Sequence, residues 1–342
     1  MRVAQVMAGA PTGGAELFFE RLSAALARAG ETVMPVIRHN PARAHRLAAN
    51  GLAPVALGFG GPFDLRTGPR LSRALAAFAP RVVVAWMGRA ARFARPGPFV
   101  LVGRLGGFYD LRRFRRCDHL VANTRGLVDW ITGQGWPARR VHHLPNFVPD
   151  LAGAPPLPRA ALGVPEGAKL ILALGRLHPN KGFDVLIRAL PRLPEAHALI
   201  AGEGPERAAL EALARAEGVA ARVHMPGWRE DTAGLLAACD ALACPSRQEP
   251  LGNVVIEAWS ARVPVVAAAA QGPRELIVPG GDGLLVPCED AHSLAGALGA
   301  VLRDPASGRA LAAAGRLRFE AAFAEAPVLA RWRDFLATVE KP

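Results

Sequence analysis

The sequence predicts an α/β protein that consists of two doubly wound parallel-sheet domains in tandem. Short, continuously apolar segments alternate with segments of helical period, which is the pattern of parallel strands buried on both faces. A proline-rich stretch at residues 149–158 interrupts this alternation, and the same pattern then starts again. With 342 residues, the chain is long enough for two domains of about 100–200 residues each.

The first domain is predicted to cover residues 1–150. Its predicted strands are residues 4–7, 32–37, 82–86, 99–103 and 119–123. Its predicted helices are residues 15–29, 71–78 and 126–132. The first helix places Leu17, Phe18 and Leu22 on one side, and Gly30 ends it.

The second domain is predicted to cover residues 151–324. Its predicted strands are residues 169–174, 198–201, 223–225, 241–244, 264–268 and 283–286. Its predicted helices are residues 183–190, 206–216, 232–238, 252–261, 293–302 and 306–320, and a last helix follows at 327–339. Because doubly wound sheets bind ligands at the carboxyl ends of their strands, two such domains are expected to face each other across a cleft.

Composition excludes several classes of protein. Apolar residues make up 51% of the chain and charged residues 20%, which excludes wholesale disorder. The apolar runs are shorter than the roughly 18–20 residues of a membrane span, and the first residues lack the pattern of a secretory signal. Four cysteines without a C-x-x-C spacing do not form a disulfide framework, so we expect a reducing, cytoplasmic location.

Positive charge is concentrated in the first domain. Residues 1–150 contain 21 arginines, no lysine and 8 acids, whereas residues 151–342 contain 20 basic and 21 acidic side chains. Such asymmetry predicts an anionic partner, which would be nucleic acid, an anionic membrane or a phosphorylated substrate. A general preference for arginine over lysine explains the residue type but not the shortage of acids.

The densest group of arginines has the pattern of a membrane-surface segment. Two apolar residues, Leu111 and Phe114, interrupt it, and Trp130 and Trp136 follow as candidate interfacial anchors. Its members are Arg112, Arg113, Arg115 and Arg116. The pattern favours peripheral contact with an anionic membrane, and the alternative is an ordinary solvated basic face.

A glycine-rich segment follows the first predicted strand. It reads G-A-P-T-G-G-A-E over residues 9–16, with Gly13 and Gly14 at the start of a helix. Glycine lets a backbone approach a ligand closely, and the N–H groups at a helix start favour anions. The segment lacks the lysine of a Walker A loop, so a tight turn and a phosphate or sugar contact stay equally open.

Two cations follow the first strand of the second domain. The segment 172–184 reads L-A-L-G-R-L-H-P-N-K-G-F-D, and its strand is expected to end at Gly175. Arg176 and Lys181 then lie in a loop at the carboxyl end of the strand, where they suit a diphosphate whose charge grows as it leaves. Taken alone, the same two side chains also fit ordinary solvated charges.

A later segment, C-P-S-R-Q-E-P-L-G-N-V-V-I-E-A-W, carries Glu249 and Glu257 around a predicted helix start at Gly252. The N–H groups of Gly252, Asn253 and Val254 are expected to be available to an anion. Glu257 lies near the helix face of Asn253, and a carboxylate among apolar helix residues needs a partner such as ligand hydroxyls. A capping Glu249 and a salt-bridged Glu257 are the structural alternative.

Taken in order, these segments resemble the retaining nucleotide-sugar glycosyltransferases of family 4, also called glycosyl transferases group 1, which have the GT-B fold. The segments are G-G-A-E, G-R-L-x3-K-G-F-D, G-E-G-P-E-R, E-P-L-G-N-x3-E and D-G-L-L-V-P. The resemblance runs from Val3 to about Leu302 and is most specific in the second domain. It extends to bacterial glycosyltransferases that build lipopolysaccharide and other surface glycans.

The resemblance implies a role for each motif. Arg176 and Lys181 would hold the donor diphosphate and stabilise it as it leaves. Glu249 would contact the transferred sugar, and Glu257 would bind the ribose hydroxyls. The catalytic set is thus Arg176, Lys181 and Glu249. The implied donor-binding set is Gly13, Gly14, Gly175, Gly202, Trp228, Leu251, Gly252, Asn253, Val254 and Glu257.

The resemblance also implies a division of labour between the domains. Residues 1–150 would bind the acceptor and be joined by a helix at about 325–342, whereas residues 151–324 would bind the donor. Many members of the family carry a histidine in the acceptor domain, where this chain has G-R-L-G-G at residues 103–107. The role of that histidine is therefore not transferred, and Arg104 or Tyr109 is the candidate for acceptor binding.

The reaction implied is transfer of a sugar from a nucleotide-diphosphate sugar to a hydroxyl acceptor, with a cell-envelope glycan or a lipid-linked intermediate as the acceptor. No D-x-D, H-E-x-x-H or Cys/His cluster is present in the sequence, so neither a metal nor another cofactor is expected. A nucleotide-sugar epimerase of the same fold is one alternative. A nucleic-acid-binding protein is another, although no nucleic acid is expected. The expected location is the cytoplasm, at the inner face of the cytoplasmic membrane.

Overall fold

The computed structural model describes residues 1–11, 13–61 and 63–342. These residues divide into two compact units. Unit 1 comprises Met1–Phe147 and Glu325–Pro342, and unit 2 comprises Val148–Ala324. Within this described part of the chain, none of the helices combines the length and the apolar character needed to span a bilayer.

Unit 1 is built on a parallel sheet that has seven strands over the described residues, in the order β3-β2-β1-β4-β5-β6-β7. The strands are β1 Arg2–Met7, β2 Thr32–Arg38, β3 Val55–Leu57, β4 Val82–Trp86, β5 Val100–Leu105, β6 His119–Ala122 and β7 Val141–His143. The helices are α1 Gly14–Arg28, α2 Pro41–Ala49, α3 Thr67–Phe78, α4 Met87–Phe93, α5 Arg125–Gly133 and, at the end of the chain, α13 Glu325–Thr338.

The centre of this sheet is apolar on both faces. Val6 of β1 lies between Val36 on β2 and Ala85 on β4, and all three are fully buried. The helix α13 packs on the same side of the sheet as α1, where Trp332 and Phe18 belong to one buried cluster. The last helix therefore completes the core of unit 1.

Four elements of unit 1 were not predicted from the sequence. They are the short edge strands β3 and β7, and the helices α2 and α4. Strands of three residues are too short to show a period. The helix α4 begins immediately after β4, so its residues merge with an apolar strand. By contrast, α2 has a readable start, because the side chain of Asn40 accepts a hydrogen bond from the Arg43 amide at 3.0 Å and Pro41 follows it.

Unit 2 contains a second parallel sheet, of six strands in the described chain, in the order β10-β9-β8-β11-β12-β13. The strands are β8 Lys169–Leu174, β9 Ala196–Ala201, β10 Val223–His224, β11 Ala241–Cys244, β12 Val265–Ala268 and β13 Leu284–Val286. The helices are α6 Phe183–Ala189, α7 Arg207–Ala216, α8 Thr232–Ala238, α9 Asn253–Ser260, α10 Gln271–Leu276, α11 Ala291–Arg303 and α12 Pro305–Ala322.

The strand order of unit 2 reverses between β8 and β11, and a ligand site is expected beside this reversal. Leu172 on β8 pairs with Leu199 on β9 and with Leu242 on β11. The chain leaves β8, β9 and β11 at the same edge of the sheet, because the three strands are parallel. Ligands of doubly wound sheets bind at this carboxyl edge, beside the reversal.

Candidate functional site

The loop after β8 presents the two predicted cations differently. Gly175 follows the strand with a φ of 145°, and Arg176 after it is exposed and forms no ion pair with any residue that the structure describes. Lys181 ends a short 3-10 turn, Pro179–Lys181, and its side chain is only 23% exposed. The loop therefore offers one cation to solvent and holds the other in place.

Lys181 is fixed by Glu249 from the loop after β11. The Nζ atom of Lys181 lies 2.5 Å from Oε2 of Glu249, and this oxygen also accepts a hydrogen bond from the Ser246 hydroxyl at 3.2 Å. The Glu249 side chain is 11% exposed. The sequence analysis assigned Lys181 and Glu249 to one site, and the structure brings them into direct contact.

Glu257 belongs to the same cluster. It is half-buried on α9 and close enough to Lys181 to influence its ionisation. Burial acts to lower the pKa of Lys181, but the charge of Glu249, its hydrogen bond to Lys181 and the charge of Glu257 outweigh it, so the pKa lies above its ordinary value. Lys181 is consequently a permanent cation at neutral pH, between two carboxylates.

The loops after β8 and β11 are fastened to each other by residues that the sequence analysis did not select. The guanidinium of Arg247 binds both carboxylate oxygens of Asp184, each at 2.7 Å, and donates to the carbonyl of Pro179 at 2.8 Å. At Gly182, which has a φ of 64°, an added Cβ would lie 2.1 Å from the carbonyl oxygen of Pro245. We call the ion pair between Arg247 and Asp184 the clamp. It holds the segment that carries Lys181 against the segment that carries Glu249.

Gly175 and Gly202 meet backbone to backbone. The Gly175 amide donates to the carbonyl of Ala201 at 3.1 Å, and a Cβ on Gly202 would lie 1.8 Å from the carbonyl oxygen of Gly175. A Cβ on Gly175 would also lie 3.1 Å from Cε of Lys181. Both predicted donor-binding glycines therefore stand where no side chain fits, next to the cluster around Lys181.

The predicted helix start lies one residue later than expected. Gly252 is the cap of α9 with a φ of 96°, which favours glycine, and the helix begins at Asn253. Leu251 is buried, whereas Asn253 and Val254 are half-buried. An added Cβ on Gly252 would lie 3.6 Å from Cγ of Glu249, so this helix start adjoins the same cluster.

Trp228 lies in the loop after β10 and is 49% exposed. Its neighbour Gly227 packs against Glu203, where an added Cβ would lie 2.7 Å from Oε1. Glu203 directly follows Gly202 in the sequence. The loop thus flanks the glycine contact and presents a large aromatic surface to solvent.

The glycine segment of unit 1 is braced by a buried carboxylate, Glu16. Its Oε1 accepts a hydrogen bond from the Ala10 amide at 2.7 Å. Added Cβ atoms on Gly9 and Gly13 would lie 2.2 and 2.4 Å from the Glu16 carboxylate. Gly13 caps α1, Gly14 opens it, and Thr12 between these glycines and the strand lies outside the described residues. Glu16 was not among the predicted site residues, although a capping glutamate in the third helix position is a readable signal.

Arg104 lies inside unit 1. Its side chain is fully buried, donates to Oδ1 of Asn146, and stands 4.9 Å above the ring of Trp86. Burial lowers the pKa of Arg104 to about 10, which leaves it charged at neutral pH. Tyr109 is half-buried nearby, and burial raises its pKa. Arg104 is thus closed off from solvent whereas Tyr109 is partly accessible, and the acceptor role of both stays a prediction.

The arginine group of unit 1 is exposed, but its apolar partners are not. Phe114 is fully buried, and Leu111, Trp130 and Trp136 pack against the same core. Phe114 is therefore a core residue, whereas Trp130 and Trp136 are half-buried and their role as interfacial anchors stays a prediction. The exposed members are Arg112, Arg113, Arg115 and Arg116.

No three His, Cys, Asp or Glu side chains come together in a metal-binding arrangement among the residues that are described. The cations that the structure shows at the site are the side chains of Lys181 and Arg176. Two cations beside two carboxylates, at the carboxyl edge of a doubly wound sheet, can bind a diphosphate and the hydroxyls attached to it.

Comparison with known proteins gives concordant results. Residues 157–318 match the family described as glycosyl transferases group 1. Two lipopolysaccharide core biosynthesis glycosyltransferases of Rhizobium meliloti (strain 1021) are each 34% identical to this chain. The first, LpsE, matches over 85% of this chain and 86% of its own length. The second, LpsD, matches over 94% of this chain and 94% of its own length.

Among solved structures, Anabaena HepE in complex with UDP-glucose superimposes with a TM-score of 0.87. The two chains are 21% identical, and the match covers 99% of this chain and 100% of the other. A likeness at this identity concerns the fold, and it confirms the predicted GT-B architecture with two parallel-sheet units.

Proposed function

The chain belongs to the glycosyl transferases group 1 family and is a glycosyltransferase, and from this premise we propose that it transfers a sugar from a nucleotide-diphosphate sugar with retention of anomeric configuration. The observation that carries the proposal is the cluster of Lys181, Glu249 and Glu257 beside the exposed Arg176. A diphosphate is bound by cations, and sugar hydroxyls donate hydrogen bonds to acceptors such as carboxylates. This cluster supplies both cations and carboxylates within unit 2.

In the proposed reaction, the bond between the anomeric carbon and the diphosphate breaks while the acceptor hydroxyl enters from the same side. The departing phosphate oxygen takes the proton of that hydroxyl. Negative charge grows on the leaving group, where Arg176 and Lys181 stabilise it. The protein cations do this without a metal or another cofactor.

We assign Glu249 to sugar positioning rather than to covalent attack. Its Oε2 already accepts hydrogen bonds from the Lys181 ammonium and the Ser246 hydroxyl, which reduces the nucleophilicity of the carboxylate. The Lys181 contact also sets the distance between the group that holds the diphosphate and the group that holds the sugar. A carboxylate in this position favours one arrangement of sugar hydroxyls over others.

The rest of the donor is assigned to the surroundings of the cluster. Glu257 accepts hydrogen bonds from the ribose hydroxyls, and Trp228 lies beside the base. Backbone N–H groups at the start of α9 contact the phosphate or the sugar. Gly175 and Gly202 keep side chains away from the donor. The close approach of their backbones supports this role.

The proposed acceptor is a hydroxyl of a lipopolysaccharide core or a related cell-envelope glycan. The support is the two relatives that cover most of this chain, both named as lipopolysaccharide core biosynthesis glycosyltransferases. Such acceptors carry lipid and anionic groups. We therefore place the protein in the cytoplasm, at the inner face of the cytoplasmic membrane, with the arginine-rich unit 1 toward the acceptor.

A donor screen tests the proposed reaction. The protein is incubated with UDP-, GDP- and ADP-sugars, and the release of nucleoside diphosphate and the midpoint of thermal unfolding are measured. We expect one nucleotide class to raise the midpoint and to be turned over, because the classes differ in the base, which is assigned to the surroundings of Trp228.

Two outcomes of the screen would contradict the proposal. One is that no nucleotide sugar stabilises the protein or is turned over. The other is a change in the sugar configuration while the sugar stays bound to its nucleotide, which is the reaction of an epimerase. The control is the Arg192→Ala variant, because Arg192 is an exposed arginine of unit 2 that lies outside the motifs.

A further inference from the structure

Two large apolar side chains of unit 1 project into solvent from a single loop. Phe63 is 94% exposed and Leu65 is 83% exposed, more than any other large apolar side chain of the described residues. The loop joins β3 to α3, and Pro62 within it lies outside the described residues. Full exposure of two neighbouring large apolar groups is costly in water and points to a partner that covers them.

Asp64, which lies between the two apolar residues, ties together the described residues on either side of them. Its Oδ2 accepts hydrogen bonds from the Gly60 amide and from the Thr67 hydroxyl, both at 2.6 Å. Its Oδ1 accepts from the Thr67 amide at 3.0 Å. The Thr67 hydroxyl in turn accepts from the Phe59 amide at 3.0 Å. Phe63 and Leu65 are therefore presented by a pinned loop.

The surface around this loop is strongly basic. Residues 58–116 contain twelve arginines, no lysine and two acids. One acid, Asp64, pins the loop, and the other, Asp110, pairs with Arg112 at 3.0 Å. Eleven of the arginines are exposed. Arg81 stands before β4, at the other end of the strand, and donates to the carbonyl of Ala337. The other ten form what we call the basic surface: Arg66, Arg70, Arg73, Arg89, Arg92, Arg95, Arg112, Arg113, Arg115 and Arg116.

The apolar loop and the densest part of the basic surface are connected through α4. At the C-terminal end of α4, the ring centroids of Phe93 and Phe59 lie 5.6 Å apart in an edge-to-face arrangement. At the other end, a Cβ on Gly88 would lie 2.8 Å from Cδ of Arg113, and α4 packs against the 3-10 turn Leu111–Phe114. The loop, α4 and this turn follow the carboxyl ends of β3, β4 and β5, so they share one edge of the sheet.

We propose that this edge of unit 1 docks on an anionic lipid bilayer, with Phe63 and Leu65 inserted among the headgroups and the basic surface on the lipid phosphates. A bilayer surface combines negative charge with an apolar layer a few ångströms below it, which matches pinned apolar side chains surrounded by arginines. Nucleic acid offers the charge alone, and Leu65 has no ring on which a base stacks. This docking rests on the membrane location given under the proposed function and deepens it by naming the residues that contact the bilayer.

Sedimentation with vesicles tests the docking. The full chain is mixed with vesicles of equimolar phosphatidylglycerol and phosphatidylcholine, and the bound fraction is measured against that on pure phosphatidylcholine. We expect the Phe63→Ser, Leu65→Ser double variant to bind roughly tenfold or more weakly, because two apolar side chains lose their insertion. Changing Arg112, Arg113, Arg115 and Arg116 to Ser should weaken binding roughly 100-fold or more, at about fivefold per basic side chain.

Matched controls separate docking from folding and from catalysis. Leu317 is 68% exposed on α12 of unit 2, so Leu317→Ser removes a comparable apolar group and should leave vesicle binding unchanged. All variants should keep the thermal midpoint of the parent and, without vesicles, its rate of nucleoside diphosphate release. Binding of the parent should also fall with added salt, since exposed charges are screened.

Three results would overturn the docking proposal. They are equal binding of the parent to anionic and neutral vesicles, unchanged binding of the Phe63→Ser, Leu65→Ser variant, and displacement of the parent from anionic vesicles by duplex DNA at equal phosphate concentration. If the vesicle results hold while no nucleotide sugar is turned over, the proposed reaction fails and the docking stands.

Discussion

Turnover is expected to fall about 100-fold or more when either Arg176 or Lys181 is changed to alanine, in the range for the loss of one preorganised electrostatic contact. Both side chains follow the carboxyl end of β8, where the diphosphate of the donor is assigned. Charge develops on that diphosphate only as the sugar leaves, so the loss should appear mainly in kcat. Steady-state release of nucleoside diphosphate measures it.

The two positions differ in what else they remove. Lys181→Ala also leaves the largely buried Glu249 without its ammonium partner, and the fold is expected to lose stability. Arg176 is exposed and forms no ion pair with the described residues, so Arg176→Ala should lower kcat at an unchanged thermal midpoint. Arg192→Ala is the matched control. A double variant at Arg176 and Lys181 with the turnover of the parent would refute the leaving-group role of both.

Nucleotide binding is expected to weaken by about 1–3 kcal/mol when Glu257 is changed to glutamine, because the ribose hydroxyls lose a charged acceptor. This corresponds to a Kd that rises roughly fivefold to 150-fold. Glutamine keeps the size of the side chain on α9, so the fold should be retained. Calorimetric titration with the free nucleoside diphosphate measures the change directly.

Glu195→Gln provides the comparison, because Glu195 is an exposed acid of the same unit and lies outside the cluster around Lys181. Its removal should leave the Kd unchanged. Equal affinity of the Glu257→Gln variant and the parent would make Glu257 a structural acid, with Lys181 as its electrostatic partner. In that case the ribose would require another acceptor.

The sequence predicted the central strands and the motif cluster of unit 2 well, because their signals are local. The strand Lys169–Leu174 and the helix Thr232–Ala238 have the predicted bounds. Lys181 and Glu249, 68 residues apart, were assigned to one site through the resemblance of their motifs to the glycosyltransferase family. The structure brings them together because both follow strands of one parallel sheet at its carboxyl edge.

What the sequence did not reveal depends on contacts across long separations or on burial. The clamp between Arg247 and Asp184 joins residues 63 apart, and no local pattern marks either as a partner. Phe114 stands among exposed arginines in the sequence, yet the turn directs it into the core. Conversely, the exposure of Phe63 and Leu65 follows from the pinning of their loop by Asp64, which only the structure reveals.

The anomeric configuration of the product tests the central claim, retaining transfer from a nucleotide-diphosphate sugar, most directly. The donor that emerges from the screen, in its α-linked form, is incubated with a lipopolysaccharide-core acceptor. The one-bond carbon–proton coupling at the new anomeric centre is then measured by NMR. For retaining transfer we expect an α-linked product and one nucleoside diphosphate released per sugar transferred. A β-linked product would contradict it, and so would a free epimerised nucleotide sugar without any new glycosidic bond.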